Sequence, residues 1–318
     1  MTQEIASLPI LLIDAHSRCN CRCVMCDIWK TAEHREFTLA QLESQMGAIE
    51  RLQVRWVVFT GGEPLMHSNL FELADRLRGR GIRVTILSTG LLFERFASEI
   101  AEHIDDVIVS LDGPPEIHDR IRRVPGGFER IREGIRAIHA RRPEFSIGAR
   151  CTVQEANHSA LIDTMRAAKQ IGLSSISFLA ADVTSTAFNR AQPWSPARQA
   201  GIALTLDEVV VLEQQIQELT EDSFVVDRPQ HLHRIVRHFR AHLGLETLEA
   251  PRCNAPWVSA VMGIDGSVRP CFFHPPIGST AGQPLDDALN ASPAREFRAS
   301  LDIASNPVCQ RCVCSLHL

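Results

Sequence analysis

Short apolar runs alternate along the first 180 residues with longer stretches whose apolar positions recur every three or four residues. The short runs predict strands over 10–14, 55–60, 83–88, 107–111, 145–153 and 174–179. The longer stretches predict helices over 39–52, with Thr38 as N-cap, and over 69–80, stopped at Gly81. Further helices are predicted over 91–101, 128–142 and 159–171. Strict strand–helix alternation with crossovers of this length implies a parallel sheet. Six such units fall short of the eight in a closed barrel. The expected class is α/β, a partial (β/α)6 TIM-like barrel. Reactive groups in such folds sit past the C-terminal strand ends. Residues 19–26, 61–64, 88–90 and 110–114 all fall there.

Beyond the sixth strand the pattern lapses into Ser, Thr, Asn and Pro over 180–196, which reads as a linker or a lid over the barrel mouth. Helical periodicity returns over 205–221 and 229–243. From 251 the chain is rich in Gly, Pro and Cys. Strands over 258–262 and 267–271 flank a turn and predict a hairpin, followed by short helices over 285–289 and 294–301. The expected organisation is a barrel core at 1–180, a linker and helical segment at 181–250, and a small domain at 251–318. So small a core calls for a metal staple.

Composition narrows the function. The 318 residues are 45% hydrophobic and 22% charged, ordinary globular usage. A net charge of −5 gives no footprint for nucleic acid or an anionic membrane. No apolar run reaches spanning length, and the N-terminus has no basic region or cleavage site, so a cytoplasmic location is expected. Ten cysteines in a reducing compartment point to metal ligation rather than disulfides. Four of them, Cys19, Cys21, Cys23 and Cys26, crowd into eight residues. Cys253, Cys271, Cys309, Cys312 and Cys314 form a second set, and Cys151 stands alone.

Cys19, Cys23 and Cys26 have the spacing C-x3-C-x2-C. Three thiolates in one tight loop can hold three irons of a cubane and leave the fourth open. A zinc loop is the alternative. This loop, together with Gly61-Gly62-Glu63-Pro64 after the second strand and Ser110-Leu-Asp-Gly-Pro114 after the fourth, resembles the radical S-adenosylmethionine (SAM) superfamily over the first 180 residues or so. The resemblance implies a [4Fe–4S] cluster on Cys19, Cys23 and Cys26, with SAM chelated at the open iron. It implies that Gly61 and Gly62 admit the methionine moiety, that Glu63 accepts from its ammonium group, and that Ser88 and Ser110 contact ribose or carboxylate. Met25 stands where the family usually has an aromatic and offers adenine an apolar, polarizable contact. Cys21 is not counted as a ligand.

Cys253, Cys271, Cys309 and Cys312, with Cys314 as alternative fourth ligand, resemble the Twitch domain, the shortened relative of SPASM, which implies one auxiliary [4Fe–4S] cluster. A zinc ribbon is the alternative. Cys151, if it faces the lumen, could return a hydrogen atom to a substrate radical, and Cys314 is a rival donor. His231, His233, His238 and His242 share the 229–243 helix with Arg234, Arg237 and Arg240, a solvated basic face or a binding face for a phosphate or carboxylate.

The family's chemistry implies one-electron cleavage of SAM to a 5′-deoxyadenosyl radical that takes a hydrogen atom from substrate. The expected partners are a small-molecule substrate, such as a sugar or nucleoside, and an external reductant such as flavodoxin or ferredoxin. A first strand near residue 10 leaves no room for a leader-binding module. The expected step is a dehydrogenation. Epimerisation, decarboxylation, rearrangement and peptide modification are the alternatives, and a non-catalytic iron–sulfur carrier is the reading from another class.

Overall fold

The computed structural model describes residues 3–318. Six parallel strands follow one another in spatial order: β1 (Ile10–His16), β2 (Trp56–Gly61), β3 (Arg83–Ser88), β4 (Asp106–Ser110), β5 (Ser146–Val153) and β6 (Ser175–Ala180). The crossovers carry α1 (Leu39–Arg51), α2 (Leu70–Arg78), α3 (Ala97–His103), α4 (Pro115–Arg122), α5 (Gly127–His139) and α6 (Leu161–Gln170). Three helices follow β6: α7 (Pro196–Ala200), α8 (Leu206–Leu219) and α9 (Pro229–His242). This is the partial barrel that the hydrophobic pattern predicts.

Successive strand residues point to opposite faces. Ile13, Phe59, Ile86, Val107, Ala149 and Phe178 belong to one buried cluster with Leu42, Leu73, Ile131 and Leu161 of the surrounding helices. The other parity faces the lumen, where adjacent strands align Ser110 with Arg150 and Arg150 with Ser177. At the N-terminal end the lumen has a hydrogen-bonded floor. Trp56 Nε1 donates to Thr85 Oγ1 at 2.7 Å, and Thr85 Oγ1 to Asp106 Oδ1 at 2.8 Å. Arg83 Nε closes the network on Asp106 Oδ2 at 2.7 Å.

The C-terminal segment continues this sheet. After α10 (Ala255–Val258), β7 (Ser259–Met262) pairs in parallel with β1, so Leu11 lies beside Ala260 and Ile13 beside Met262. The predicted hairpin is present, with β8 (Ser267–Arg269) antiparallel to β7 and β9 (Gly278–Ser279) antiparallel to β8. The helices α11 (Leu285–Asn290), α12 (Ser292–Ser300) and α13 (Pro307–Gln310) complete the chain.

The short helices α7, α10 and α13 were not expected, and two of the crossover helices also differ from expectation. The predicted helix over 91–101 begins only at Ala97. Residues 91–96 form turns instead, because Phe93 is fully buried and sits under Gly134 of α5, where an added Cβ would come within 2.3 Å of Phe93 Cβ. Helix α4 was not anticipated: its eight residues carry only Ile117 and Ile121 as apolar signal. It has Pro115 at N1 and ends where Arg123 turns left-handed at φ 55°. The 180–196 stretch folds over the barrel mouth. Arg190 donates to Met25 O at 3.1 Å, and Trp194 Nε1 to Asp27 Oδ2 at 2.8 Å. A buried ion pair, Arg190 Nη1 to Asp182 Oδ2 at 2.7 Å, fixes this segment internally.

Candidate active site

The three-cysteine loop leaves the C-terminal end of β1 and is tied down on two sides. On one side, Arg22 N and Val24 N donate to the carbonyls of Arg122 and Ile121, at the end of α4. On the other, Gly62 N donates to His16 O at 2.7 Å and Glu63 N to Arg18 O at 2.9 Å. These bonds explain the glycines. Gly61 has φ 113°, and a Cβ on Gly62 would stand 2.0 Å from the Arg18 carbonyl oxygen. The Gly-Gly pair lets the β2 turn press against the cysteine loop.

Cys21 and Cys23 are buried, and Cys19 and Cys26 half-buried. A hydrogen bond from the Cys21 thiol, assisted by the Arg122 guanidinium, outweighs burial and brings the Cys23 thiol down to about 6. Arg122 Nη1 reaches Cys23 Sγ at 3.5 Å while its Nε pairs with fully buried Asp112 Oδ2 at 2.6 Å. Burial pushes the Cys26 thiol up to about 12. Cys21 is raised chiefly by hydrogen bonding to Cys19 and Cys23, which keeps it a thiol donor. Cys26 lies close enough to Cys19 and Cys23 to feel both their charges, and three thiols so gathered fit a cluster with one corner left for a ligand.

Glu63 is fully buried and already holds three donors. Its Oε1 accepts from Leu65 N at 3.0 Å and Ser88 Oγ at 2.8 Å, and its Oε2 from Thr89 N at 2.7 Å. Burial still pushes its carboxyl upward. Ser88, expected at the ribose, spends its proton on Glu63 and accepts from Gly90 N at 3.0 Å. Ser88 has the helix-facing parity of Val84 and Ile86, so it braces Glu63 rather than lining the lumen. Ser110 has lumen parity, in register with Arg150. Met25 is buried beside the cysteines.

Asn20 was missed by sequence reasoning. Its Oδ1 accepts from Thr89 Oγ1 at 2.9 Å, and its buried Nδ2 has no partner among the described residues. An orphaned amide donor inside the cysteine loop fits a polar ligand at this opening. Arg122 and Asp112 were also missed as partners of the loop. Both lie far from the cysteine motif along the chain, so no local pattern ties them to it.

Cys151 does not face the lumen. It is fully buried among Ile147, Ala149 and Val153 on the helix side of β5, 3.5 Å from Asn157 Nδ2. The condition for a hydrogen-atom donor is not met, and Cys151 is a small core residue.

The second cysteine set converges from four places. Cys253 precedes α10, Cys271 follows β8, Cys309 lies on α13, and Cys312 and Cys314 follow it. Burial, then the neighbouring Cys271 and Cys253, push the Cys309 thiol up to about 11. Burial comes first in raising Cys271, Cys312 and Cys314, and neighbouring thiols add to it: Cys253 at Cys271, Cys314 and Cys271 at Cys312, and Cys271 and Cys253 at Cys314. Thiols that oppose one another's ionisation are those a cationic cluster relieves. A tetrahedral zinc with bonds of about 2.3 Å would hold its sulphurs about 3.8 Å apart. No three cysteine sulphurs among the described residues lie within 4.8 Å of one another, wider than that zinc shell. His274 Nε2 lies 3.3 Å from Cys309 Sγ.

Beside the second thiol set lies a cleft of about 100 Å³ lined by Arg150, Ser177, Asp227, His231, Arg234, His238 and residues 312–315 of the tail. Arg150 Nε donates to Ser177 Oγ at 3.2 Å. Burial pushes the Asp227 carboxyl upward and brings His238 down to about 4. His238 Nε2 is buried without a partner among the described residues. Of the basic helix face, His231, Arg234 and His238 therefore turn to the cleft. His242 is half-buried, and Arg237 and Arg240 pair with Glu246, while Arg240 also pairs with Glu213.

Open-ended partial barrel, thiol loop at the strand ends and a second thiol set across the cleft together define an iron–sulfur enzyme architecture. Residues 15–168 match the model of the radical SAM superfamily, and residues 253–313 that of an iron–sulfur cluster-binding domain, SPASM. The chain belongs to the radical SAM superfamily and carries an auxiliary-cluster domain, so its cofactors are [4Fe–4S] clusters and SAM. Pre-heme d1 synthase of Dinoroseobacter shibae is 31% identical over 163 residues, covering 50% of this chain and 40% of that protein. AdoMet-dependent heme synthase of Methanosarcina barkeri is 30% identical over 162 residues, 48% and 45% of the two chains. GTP 3′,8-cyclase of Paracoccus denitrificans is 34% identical over 147 residues, 42% and 41%. The chain thus spans less than half the length of these relatives. In fold it is similar to Streptococcus suis SuiB bound to S-adenosylmethionine, with TM-score 0.69 and 14% identity over 98% of this chain and 73% of that one. It is likewise similar to anSMEcpe with bound AdoMet and a peptide, with TM-score 0.66 and 20% identity over 92% and 82%. No helix among the described residues is long and apolar enough to cross a membrane.

Proposed function

We propose that the chain cleaves SAM reductively, takes a hydrogen atom from an anionic small-molecule substrate, and completes a two-electron dehydrogenation by passing the second electron to the C-terminal cluster. The cofactors supply the bond cleavage and the 5′-deoxyadenosyl radical. An external one-electron donor of the flavodoxin or ferredoxin kind starts the cycle. The protein's part is ligation by Cys19, Cys23 and Cys26, with Asn20 and the Gly61–Gly62 turn shaping the opening where SAM docks. Met25 lies buried beside the loop for adenine, and Ser110 in the lumen for the ribose or carboxylate. Cys253, Cys271, Cys309 and Cys312 hold the second cluster, with Cys314 as alternative.

The observation that carries this reading is the cleft, which is walled by lumen residue Arg150 on one side and by Cys312 and Cys314 on the other. A substrate there lies against lumen-facing Arg150 and directly beside the cysteines of the second set, the electron acceptor of this reading. Arg150, Arg234 and His231 outnumber Asp227 and favour a carboxylate or phosphate group. The relatives are named for heme and GTP, both anionic small molecules. As the substrate radical gives its electron to the second cluster, the proton on the adjacent oxygen or nitrogen leaves to Asp227, whose buried carboxylate binds a proton more readily than usual, and a C=O or C=N bond forms.

Anoxically reconstituted protein with dithionite is expected to convert SAM to 5′-deoxyadenosine, and Cys19→Ala to give none. Deuterium from a labelled pool of anionic metabolites is expected in the wild-type 5′-deoxyadenosine. Arg150→Gln is expected to keep uncoupled SAM cleavage and lose the deuterium. Deuterium transfer that Arg150→Gln leaves intact would remove the cleft from the account.

A further inference from the structure

The structure assigns a mononuclear divalent-metal site to His16, His34 and Glu36, at the foot of the three-cysteine loop and separate from both thiol sets. Among the described residues these are the only three histidine, cysteine or acidic side chains whose ligand atoms all lie within 4.8 Å of one another. The backbone prepares the site. Ser17 N donates to Arg35 O at 3.0 Å and Phe37 N to Ala15 O at 2.9 Å, an antiparallel bridge that sets His16 opposite Glu36.

The distances match one ion's coordination shell. His16 Nε2 lies 3.0 Å from His34 Nε2 and 3.7 Å from Glu36 Oε1, and His34 Nε2 is 3.5 Å from Glu36 Oε1. Metal bonds of about 2.0–2.2 Å in tetrahedral array place ligand atoms about 3.3–3.6 Å apart, so the two rings need part by only a few tenths of an ångström to admit the ion. The outer partners are in place too. His16 Nδ1 lies 3.0 Å from Arg18 O and 3.1 Å from Arg18 N, two backbone contacts that fix the ring and turn Nε2 toward the site; an ion there selects the tautomer in which Nδ1 donates to Arg18 O. Glu36 is anchored by Ser68, whose N reaches Oε1 at 3.0 Å and whose hydroxyl reaches Oε2 at 2.5 Å. His67 is excluded as a fourth ligand, because its Nε2 is bonded to Phe37 O and its Nδ1 accepts from Asn69 N. The fourth corner opens on the exposed side of His34, where a water can complete the shell.

Two imidazoles and a carboxylate suit zinc and its first-row neighbours, whereas the thiol sets suit iron–sulfur clusters. The consequence is positional. His16 O receives Gly62 N and Arg18 O receives Glu63 N, so an ion on His16 stiffens the junction between the cysteine loop and the Gly-Gly-Glu-Pro turn.

The test uses the holoprotein with its clusters in place, exposed anoxically to excess Zn2+ and desalted. We expect one zinc per chain above the iron–sulfur complement, with the iron count unchanged. The zinc absorption edge should show nitrogen and oxygen neighbours alone. His34→Ala and Glu36→Gln, both on the accessible side, should each bind zinc more weakly by at least the ~10–100-fold that outer-shell losses produce. Absence of bound zinc, retention undiminished in both variants, or a zinc–sulfur shell near ~2.3 Å would overturn the assignment and leave the two rings as an ordinary imidazole–imidazole hydrogen bond.

Discussion

Replacing Gly62 by alanine tests whether the β2 turn seats the cysteine loop. The added Cβ would stand 2.0 Å from the Arg18 carbonyl oxygen and 2.4 Å from its carbon, where real Cβ contacts do not fall below 3.0 Å. The loop backbone must therefore retreat by at least 1.0 Å, the difference between 3.0 and 2.0. Both sides of this contact are backbone, so no side chain can rotate away. A misplacement of about 1 Å at a reacting centre costs roughly 100-fold in rate. Gly62→Ala should thus lower 5′-deoxyadenosine formation about 100-fold, with iron lost from the first site. The assay is anoxic product formation with dithionite, alongside iron content and circular dichroism to establish folding. Gly81→Ala is the control: it forces a side chain to φ 73° with nothing within 4 Å. It should cost about 1–2 kcal/mol of stability and leave iron and rate intact. A folded Gly62→Ala protein with wild-type iron and rate would refute the seating role.

Other perturbations give distinct readouts. Arg190→Leu strands Asp182 in the segment over the barrel mouth. It should cost about 3–5 kcal/mol in urea unfolding and speed proteolysis within 183–200. Cys151→Ala should leave SAM cleavage and substrate turnover unchanged, because the thiol faces the helices; loss of product with SAM cleavage retained would restore it as a donor. His118 is brought down to about 4 by burial first and Arg122 second. The unfolded chain then binds a proton that the folded chain refuses, so stability falls as pH drops from about 6.5 toward about 4. The contribution is at most about 1.4 kcal/mol per pH unit, and His118→Gln should flatten that slope in pH-dependent melting.

The six strands and most crossover helices were legible because each carries a clean hydrophobic period. The cysteine loop was legible because three thiols at fixed spacing have few other uses. What stayed hidden was set by tertiary contact. Arg122 and Asp112 lie far from Cys23 in sequence, and α4 carries too little apolar signal to be seen. Ser88 reads as a strand-end hydroxyl, yet its parity turns it to Glu63. Gly62 reads as room for a ligand, yet the nearest atoms belong to Arg18 and Cys19. The parallel pairing of β7 with β1 joins residues about 250 positions apart, and no local pattern announces it.

The central claim is a cluster corner that the protein leaves free for SAM. The direct measurement is the electron paramagnetic resonance spectrum of the reduced holoprotein, recorded before and after SAM is added, with Cys253→Ala used to remove the second cluster's signal. The account predicts that the remaining signal shifts on SAM addition and that methionine labelled with 15N at its amine, supplied within SAM, shows coupling to the iron. A signal that SAM leaves unchanged, with no such coupling, would contradict it.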